Sequence, residues 1–223
     1  AAGELYREML ELRRKNKEEV GTTDYAKGYS LGLWEMASYF NECGDSAQAK
    51  QYFEEYMQVR RQLDDSIHTP DSRNDLSSAL SNFGDFLKDN GDLEAAGELY
   101  REMLELRRKN HEEVGTTVYA KYYSVGLWEL ASYFNQCGDS AQAKQYFEES
   151  VQMDRQLDDS IHTPDSRNDL SYALSNLGDF LKDNGDLEAA GELYREMLEL
   201  RLKNHEEVGT TVYAKYYSVG LWE

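Results

Sequence analysis

An all-α chain built as an array of helical hairpins is what this sequence predicts, and three observations carry the prediction. From Asp75 to Glu112, apolar residues at Leu76, Leu80, Phe83 and Leu87, then at Ala96, Leu99, Tyr100, Met103 and Leu104, recur at steps of three and four. That is the spacing of one buried face on a 3.6-residue helix. Between the two runs stands Asn90-Gly91-Asp92, where Gly91 can take the left-handed conformation that ends one helix and Asp92 can accept from the free amides that open the next. The chain also repeats itself: AAGELYREML begins at Ala1, Ala95 and Ala189, a period of 94. One hairpin cannot bury its apolar face alone, so copies stack.

In chain order, residues 1 to 20 read as a second-type helix without its partner, closed by Gly21 as a left-handed cap. Thr22 or Thr23 caps the next helix, which runs through Tyr25, Tyr29, Leu33, Met36, Ala37 and Phe40 to Cys43. Gly44-Asp45 makes the turn, with Asp45 and Gln48 spaced as in a capping box. The following helix runs through Ala49, Tyr52, Phe53 and Met57 to about Leu63, and Asp64 to His68 is a linker. Thr69 and Pro70 suit the cap and first position of the next helix, where the missing amide of proline is harmless. The expected repeats are 22–68, 69–115, 116–162 and 163–209, between an unpaired helix at 1–21 and a truncated capping helix at 210–223. Incomplete hairpins at both ends are what a fragment or an engineered cut would leave.

The second 94-residue block differs from the first at 12 positions, and residues 189–223 differ from 95–129 only where Leu202 replaces Arg108. Within each block lies an older echo of period 47, since GDSAQAKQYFEEYMQVRRQL from Gly44 corresponds to GDLEAAGELYREMLELRRKN from Gly91. Substitutions such as Gly28 against Tyr122, Arg60 against Asp154 and Ser78 against Tyr172 are scattered along the chain and read as drift.

The residues of this hairpin resemble the tetratricopeptide repeat. With Ser77 as the first position, Leu80, Phe83, Gly84, Leu87, Gly91, Ala96 and Tyr100 fall where that family has its large, small and aromatic residues. The resemblance implies a right-handed superhelical solenoid of antiparallel A and B helices. It implies too that Gly84 and Ala96 let the helix backbones approach while Tyr100 fills the space toward the next hairpin. A 47-residue repeat is longer than the family's usual length of roughly 34, as in long bacterial and kinesin-light-chain-type members; the segment from Thr69 to Ser77 is similar to the bacterial variety.

Charge and composition narrow the function. The 223 residues carry 43 acidic against 24 basic side chains, a net charge of −19. Nucleic acids and anionic membranes need clustered Lys and Arg, so neither is an expected partner. Cys43 and Cys137 are equivalent helix-end positions, and their sparse use points to a reducing, cytoplasmic compartment. His111 and His205 lack the second histidine of a zinc-protease helix, and His68 and His162 are linker copies. No metal, no cofactor and no enzyme activity is expected, because each candidate group is simply copied once per block.

What remains is the surface. In tetratricopeptide arrays the A-helix positions facing the concave groove hold an extended or helical peptide. Carried over by position, one repeat type offers Trp34, Glu35, Ser38 and Asn41, with Trp128, Glu129 and Asn135 in its later copy. The other offers Ser78, Asn82, Asp85 and Asp89, with Tyr172, Asn176 and Asp179. Asn can pair with a peptide backbone, carboxylates with Lys or Arg, and Trp with apolar side chains. A tryptophan at helical spacing is more often core than contact, so packing between hairpins is the competing role for Trp34 and Trp128.

Two readings follow. The first is a noncatalytic scaffold whose groove binds a protein or peptide segment of basic character. The second is a self-assembling or designed module that polymerises head to tail as a homo-oligomer through its unpaired end helices, a heterologous contact that propagates unless it closes.

Overall fold

A computed structural model describes residues 2–209, and among them every regular element is an α-helix. In order these are α1 (Ala2–Val20), α2 (Thr23–Glu42), α3 (Ser46–Ile67), α4 (Pro70–Asp89), α5 (Leu93–Val114), α6 (Thr117–Gln136), α7 (Ser140–Ile161), α8 (Pro164–Asp183) and α9 (Leu187–Val208). The capping helix expected at 210–223 lies outside the described residues. The chain divides into two compact units, Ala1–Val114 and Gly115–Glu223. In the first, α2 pairs with α3 and α4 with α5, while α1 packs on α2 and α3 on α4. In the second, α6 pairs with α7 and α8 with α9, and α7 packs on α8.

Turn chemistry sets these boundaries. Gly44, Gly91, Gly138 and Gly185 all have positive φ and close the A helices of the four pairs, a conformation that a Cβ would oppose. After each the chain reverses, and the Asp45 carboxylate accepts from the Gln48 amide at 3.1 Å, as Asp139 does from Gln142. Thr69 forms a reciprocal capping box with Ser72. Thr22 stands at the N-cap of α2, but its side chain makes no capping bond.

One boundary differs from the expectation. Helix α3 does not stop near Leu63 but continues to Ile67, so most of the supposed linker is helical. Asp64 explains the extension: its carboxylate accepts from Ser72 Oγ at 2.6 Å, which ties the last turns of α3 to the first turn of α4. The true end is His68, a non-glycine residue at φ 54° whose amide donates to the Asp64 carbonyl at 2.9 Å. His162 ends α7 in the same way.

Each unit has its own core. Leu33, Met36, Leu80, Tyr100 and Met103 are fully buried in the first, and Leu127, Leu130, Leu174 and Met197 in the second. Tyr100 serves its own hairpin: a methyl group at Gly84 would stand 3.2 Å from its ring. The small residue on α4 is therefore what lets α5 close on it. Two buried asparagine side chains tie helices together as well. Asn110 of α5 donates to the Pro70 carbonyl at the start of α4, and Asn204 of α9 repeats the bond to Pro164, both at 2.8 Å.

Candidate partner-binding grooves

In the first unit, the proposed lining residues of α2 and α4 sit on A helices that flank the B helix α3. Trp34 is 36% exposed on α2 and lies outside the buried core. Glu35 is half-buried and paired with Arg13 of α1 at 2.9 Å. Ser38 is half-buried, while Asn41 and Asp89 are exposed at the helix ends. Ser78 donates back to the Asn74 carbonyl. Asn82 is half-buried, and its side chain acts to lower the Tyr56 hydroxyl of α3 against the larger upward push of burial. Asp85 accepts from Tyr100 Oη at 2.5 Å and from Lys88 Nζ at 2.8 Å, so its charge is already engaged within the hairpin.

The floor beneath is filled by α3. Tyr56 is buried, and the Arg60 guanidinium lies 5.6 Å from its ring centroid. Arg60 Nη1 meets Asp75 Oδ2 of α4 at 2.9 Å, and Lys27 of α2 stands 4.0 Å from the same oxygen. Two cations thus face one carboxylate.

The second unit keeps the frame and changes the floor. Trp128 is 39% exposed on α6, with Glu129 half-buried and Asn135 exposed, and Tyr172 and Asn176 lie on α8. Asp179 repeats the engagement of Asp85, accepting from Tyr194 Oη at 2.7 Å and Lys182 Nζ at 3.0 Å. Where Tyr56 and Arg60 fill the first unit, Ser150 and Asp154 stand here, and a cavity of about 600 Å³ opens between α6, α7 and α8. That volume is ordinary for a small-molecule or side-chain site. Trp128, Tyr122 and Tyr172 supply aromatic surface to it, and Asn176 a polar edge.

The electrostatics are reversed as well. Asp154 is 7% exposed and has no ion-pair partner among the described residues. Burial, with a further push from Asp169, raises its carboxyl to about 6, against which Ser124 and Lys121 act in the opposite direction. Asp169 itself lies 2.6 Å from Lys121 Nζ. Of the proposed lining residues, Trp128, Tyr172 and Asn176 converge on one cavity. Tyr122, Ser150 and Asp154 were not anticipated. Their signal was present in the sequence as differences between the blocks, and the fold turns scattered substitutions into neighbours.

Five of the 12 differences between the blocks, at Tyr122, Val125, Ser150, Asp154 and Tyr172, line this cavity. The cavity takes 11 of 94 aligned positions, where an even spread would put about one difference, so the divergence is concentrated at the groove and is not drift alone.

The tetratricopeptide repeat family model matches residues 76–113 and 170–206, and a second tetratricopeptide repeat model matches 126–157. The chain is a tetratricopeptide repeat protein. The fold of this tetratricopeptide array is similar to BtubC (BKLC) from P. vanneervenii, at 15% identity over 98% of this chain and 81% of that one, with a TM-score of 0.70. It is similar also to a putative kinesin light chain with nearly identical TPR-like repeats from Podosopora anserina, at 14% identity, 93% and 99% coverage and a TM-score of 0.57. MamA matches at 12% identity, 88% and 89% coverage and a TM-score of 0.53. A search of curated proteins returned no match. Tetratricopeptide arrays are protein–protein interaction scaffolds, and this chain has that architecture. Among the described residues no helix is long and apolar enough to cross a membrane, and no group of three or more His, Cys, Asp or Glu is placed to hold a metal ion. Cys43 and Cys137 are free and exposed.

Proposed function

We propose that this protein is a noncatalytic scaffold in the cytoplasm that binds an extended protein or peptide segment of basic character along its A-helix surfaces. The observation that carries the reading is the exposure of Trp34 and Trp128 at equivalent points of two repeats. A large aromatic left more than a third exposed on a helical face is a typical anchor for a partner. The net charge of −19 favours a basic segment through steering and complementarity.

The test is selection of peptides from a random display library on the full chain, followed by affinity measurement against two double variants. Trp34→Ala with Trp128→Ala, and Asn82→Ala with Asn176→Ala, are expected to weaken selected binders about tenfold or more each, with affinity falling as salt rises. Binders unaffected by both pairs would sink the groove reading. Charge reversal at Asp85 or Asp179 is a poorer probe, since each also anchors a tyrosine.

A second reading, self-association, is favoured by α1. Leu5 and Leu12 are 67% and 63% exposed, while their counterparts on α5, Leu99 and Leu106, are half-buried in the presence of α4. Light scattering over a wide concentration range decides this: mass rising with concentration, and suppressed by Leu5→Lys with Leu12→Lys, supports assembly, and a constant 25.7 kDa removes it.

A further inference from the structure

The two grooves carry opposite charge at the same place, and the first shows what kind of group the second lacks. In the first unit Arg60, projecting from α3, lays its guanidinium beside the Tyr56 ring and pairs with Asp75 at 2.9 Å. The chain has supplied its own cation. In the second unit the corresponding residues are Asp154, Ser150 and Asp169. The cation is gone, the ring that lay beneath it is gone, and a carboxylate stands where the guanidinium began. The local balance moves from two cations and one anion, Lys27, Arg60 and Asp75, to one cation and two anions, Lys121, Asp154 and Asp169.

Other changes in the same place alter the walls. Gly28 becomes Tyr122 and Ser78 becomes Tyr172, which adds two aromatic surfaces beside the retained Trp128. A buried carboxylate without an ion-pair partner is unfavourable for folding alone. Its presence inside an open, aromatic-walled cavity is accounted for by a group that arrives from outside. Flat, weakly hydrated cations suit such surroundings better than compact ammonium groups, because they stack on aromatic faces while donating to a carboxylate.

We infer that the cavity of the second unit receives an arginine side chain of the bound segment, with the guanidinium on the Asp154 carboxylate and between the Tyr122, Trp128 and Tyr172 side chains. The inference rests on the peptide-binding reading above and deepens it. The first groove is closed by an internal arginine paired with a carboxylate. In the second, Arg201 lies 5.7 Å from the Tyr172 ring but no described arginine pairs with Asp154, so the two are unequal and the second supplies the anchoring pocket. The Asp154 carboxyl, pushed up to about 6 by burial, agrees with this, since an incoming cation would stabilise the ionised form.

The experiment titrates the ¹⁵N-labelled full chain with two probes, Ac-Gly-Gly-Arg-Gly-Gly-amide and its citrulline counterpart, a neutral isostere. With the arginine probe, saturable shifts are expected at the Trp128 indole and the Ser124 and Ser150 amides but not at the Trp34 indole. The citrulline probe should bind about tenfold more weakly or not at all. Asp154→Asn should weaken the arginine response about tenfold, and Asp154→Arg should abolish it by restoring the first unit's pairing. Either variant suffices if the other misfolds, which circular dichroism reports. Equal response to both probes, an undiminished response in the variants, or no saturable response at Trp128 overturns the inference. The two readings fail separately. Library-selected binders that lose affinity in the Asn82/Asn176 variant but ignore Asp154→Arg would overturn the arginine anchor and leave the groove standing.

Discussion

Tyr100 donates its hydroxyl hydrogen to Asp85 across 2.5 Å while its ring lies on the bare backbone of Gly84, so one side chain fixes both the spacing and the register of α4 and α5. Tyr194, Asp179 and Gly178 repeat the arrangement in the second unit. Gly84→Ala should destabilise the chain by about 1–3 kcal/mol through overpacking, and Tyr100→Phe by about 1 kcal/mol through loss of the hydrogen bond. Urea midpoints measure both. A Tyr100→Phe loss larger than that of Gly84→Ala would show that the hydrogen bond, not the close approach, governs the hairpin.

Asp154 gives a pH signature. Its carboxyl sits at about 6 in the folded chain against an ordinary value near 3.8, so the folded state favours the protonated form. The stability linked to it is therefore fully present below about 3.8 and lost as pH rises through 6, by up to about 3 kcal/mol. Lys121 and Tyr122 of α6 and Asp169 and Tyr172 of α8 are the titratable groups lining the same cavity. Asp154→Asn should stabilise the protein at pH 7.5 and leave it nearly unchanged at pH 3.5, comparing variant and parent at each pH. A gain of equal size at both would show that charge is not its source.

Asn110 and Asn204 are almost completely buried, and each satisfies a proline carbonyl at the head of the preceding A helix. Asn110→Ala should lower stability by about 1 kcal/mol, since it removes a buried hydrogen bond that ties α5 to the first turn of α4. Amide exchange near Pro70 should accelerate with it. Unchanged exchange there would mean the first turn of α4 is held by Thr69 and Ser72 alone.

His68 and His162 hold a left-handed conformation that side chains resist. His68→Gly should be neutral or stabilising by up to about 1 kcal/mol, and His68→Val destabilising by more than that. Thermal unfolding distinguishes them, and a stability loss from glycine would assign the histidine ring a role beyond closing the helix.

Much of the fold was legible because it is local. Helical spacing, the Asn-Gly-Asp turns and the Thr69-Pro70 start all act over a few residues, and the four helix pairs follow from them. The end of α3 was not legible, because its stop signal is a histidine rather than a glycine and its last turns depend on the Asp64–Ser72 bond to the next helix. The groove was half legible. Carrying A-helix positions over from the tetratricopeptide resemblance finds Trp128 and Asn176. It cannot find Asp154, which comes from α7, nor show that Tyr122, Asp154 and Tyr172, far apart in sequence, share one cavity. Read one at a time they look like noise.

The cavity's divergence has an evolutionary and practical consequence. The residues that hold one helix against the next, such as Gly84, Tyr100 and Asn110, are identical in the later copy at Gly178, Tyr194 and Asn204, whereas the floor of the groove has been rewritten. The cavity lining therefore changes while these inter-helix contacts are kept, although core residues such as Met36 and Phe83 also differ, as Leu130 and Leu177. On the proposed binding role, a block can be duplicated to gain length without gaining a new preference, and a preference can be transplanted between blocks by exchanging a handful of side chains.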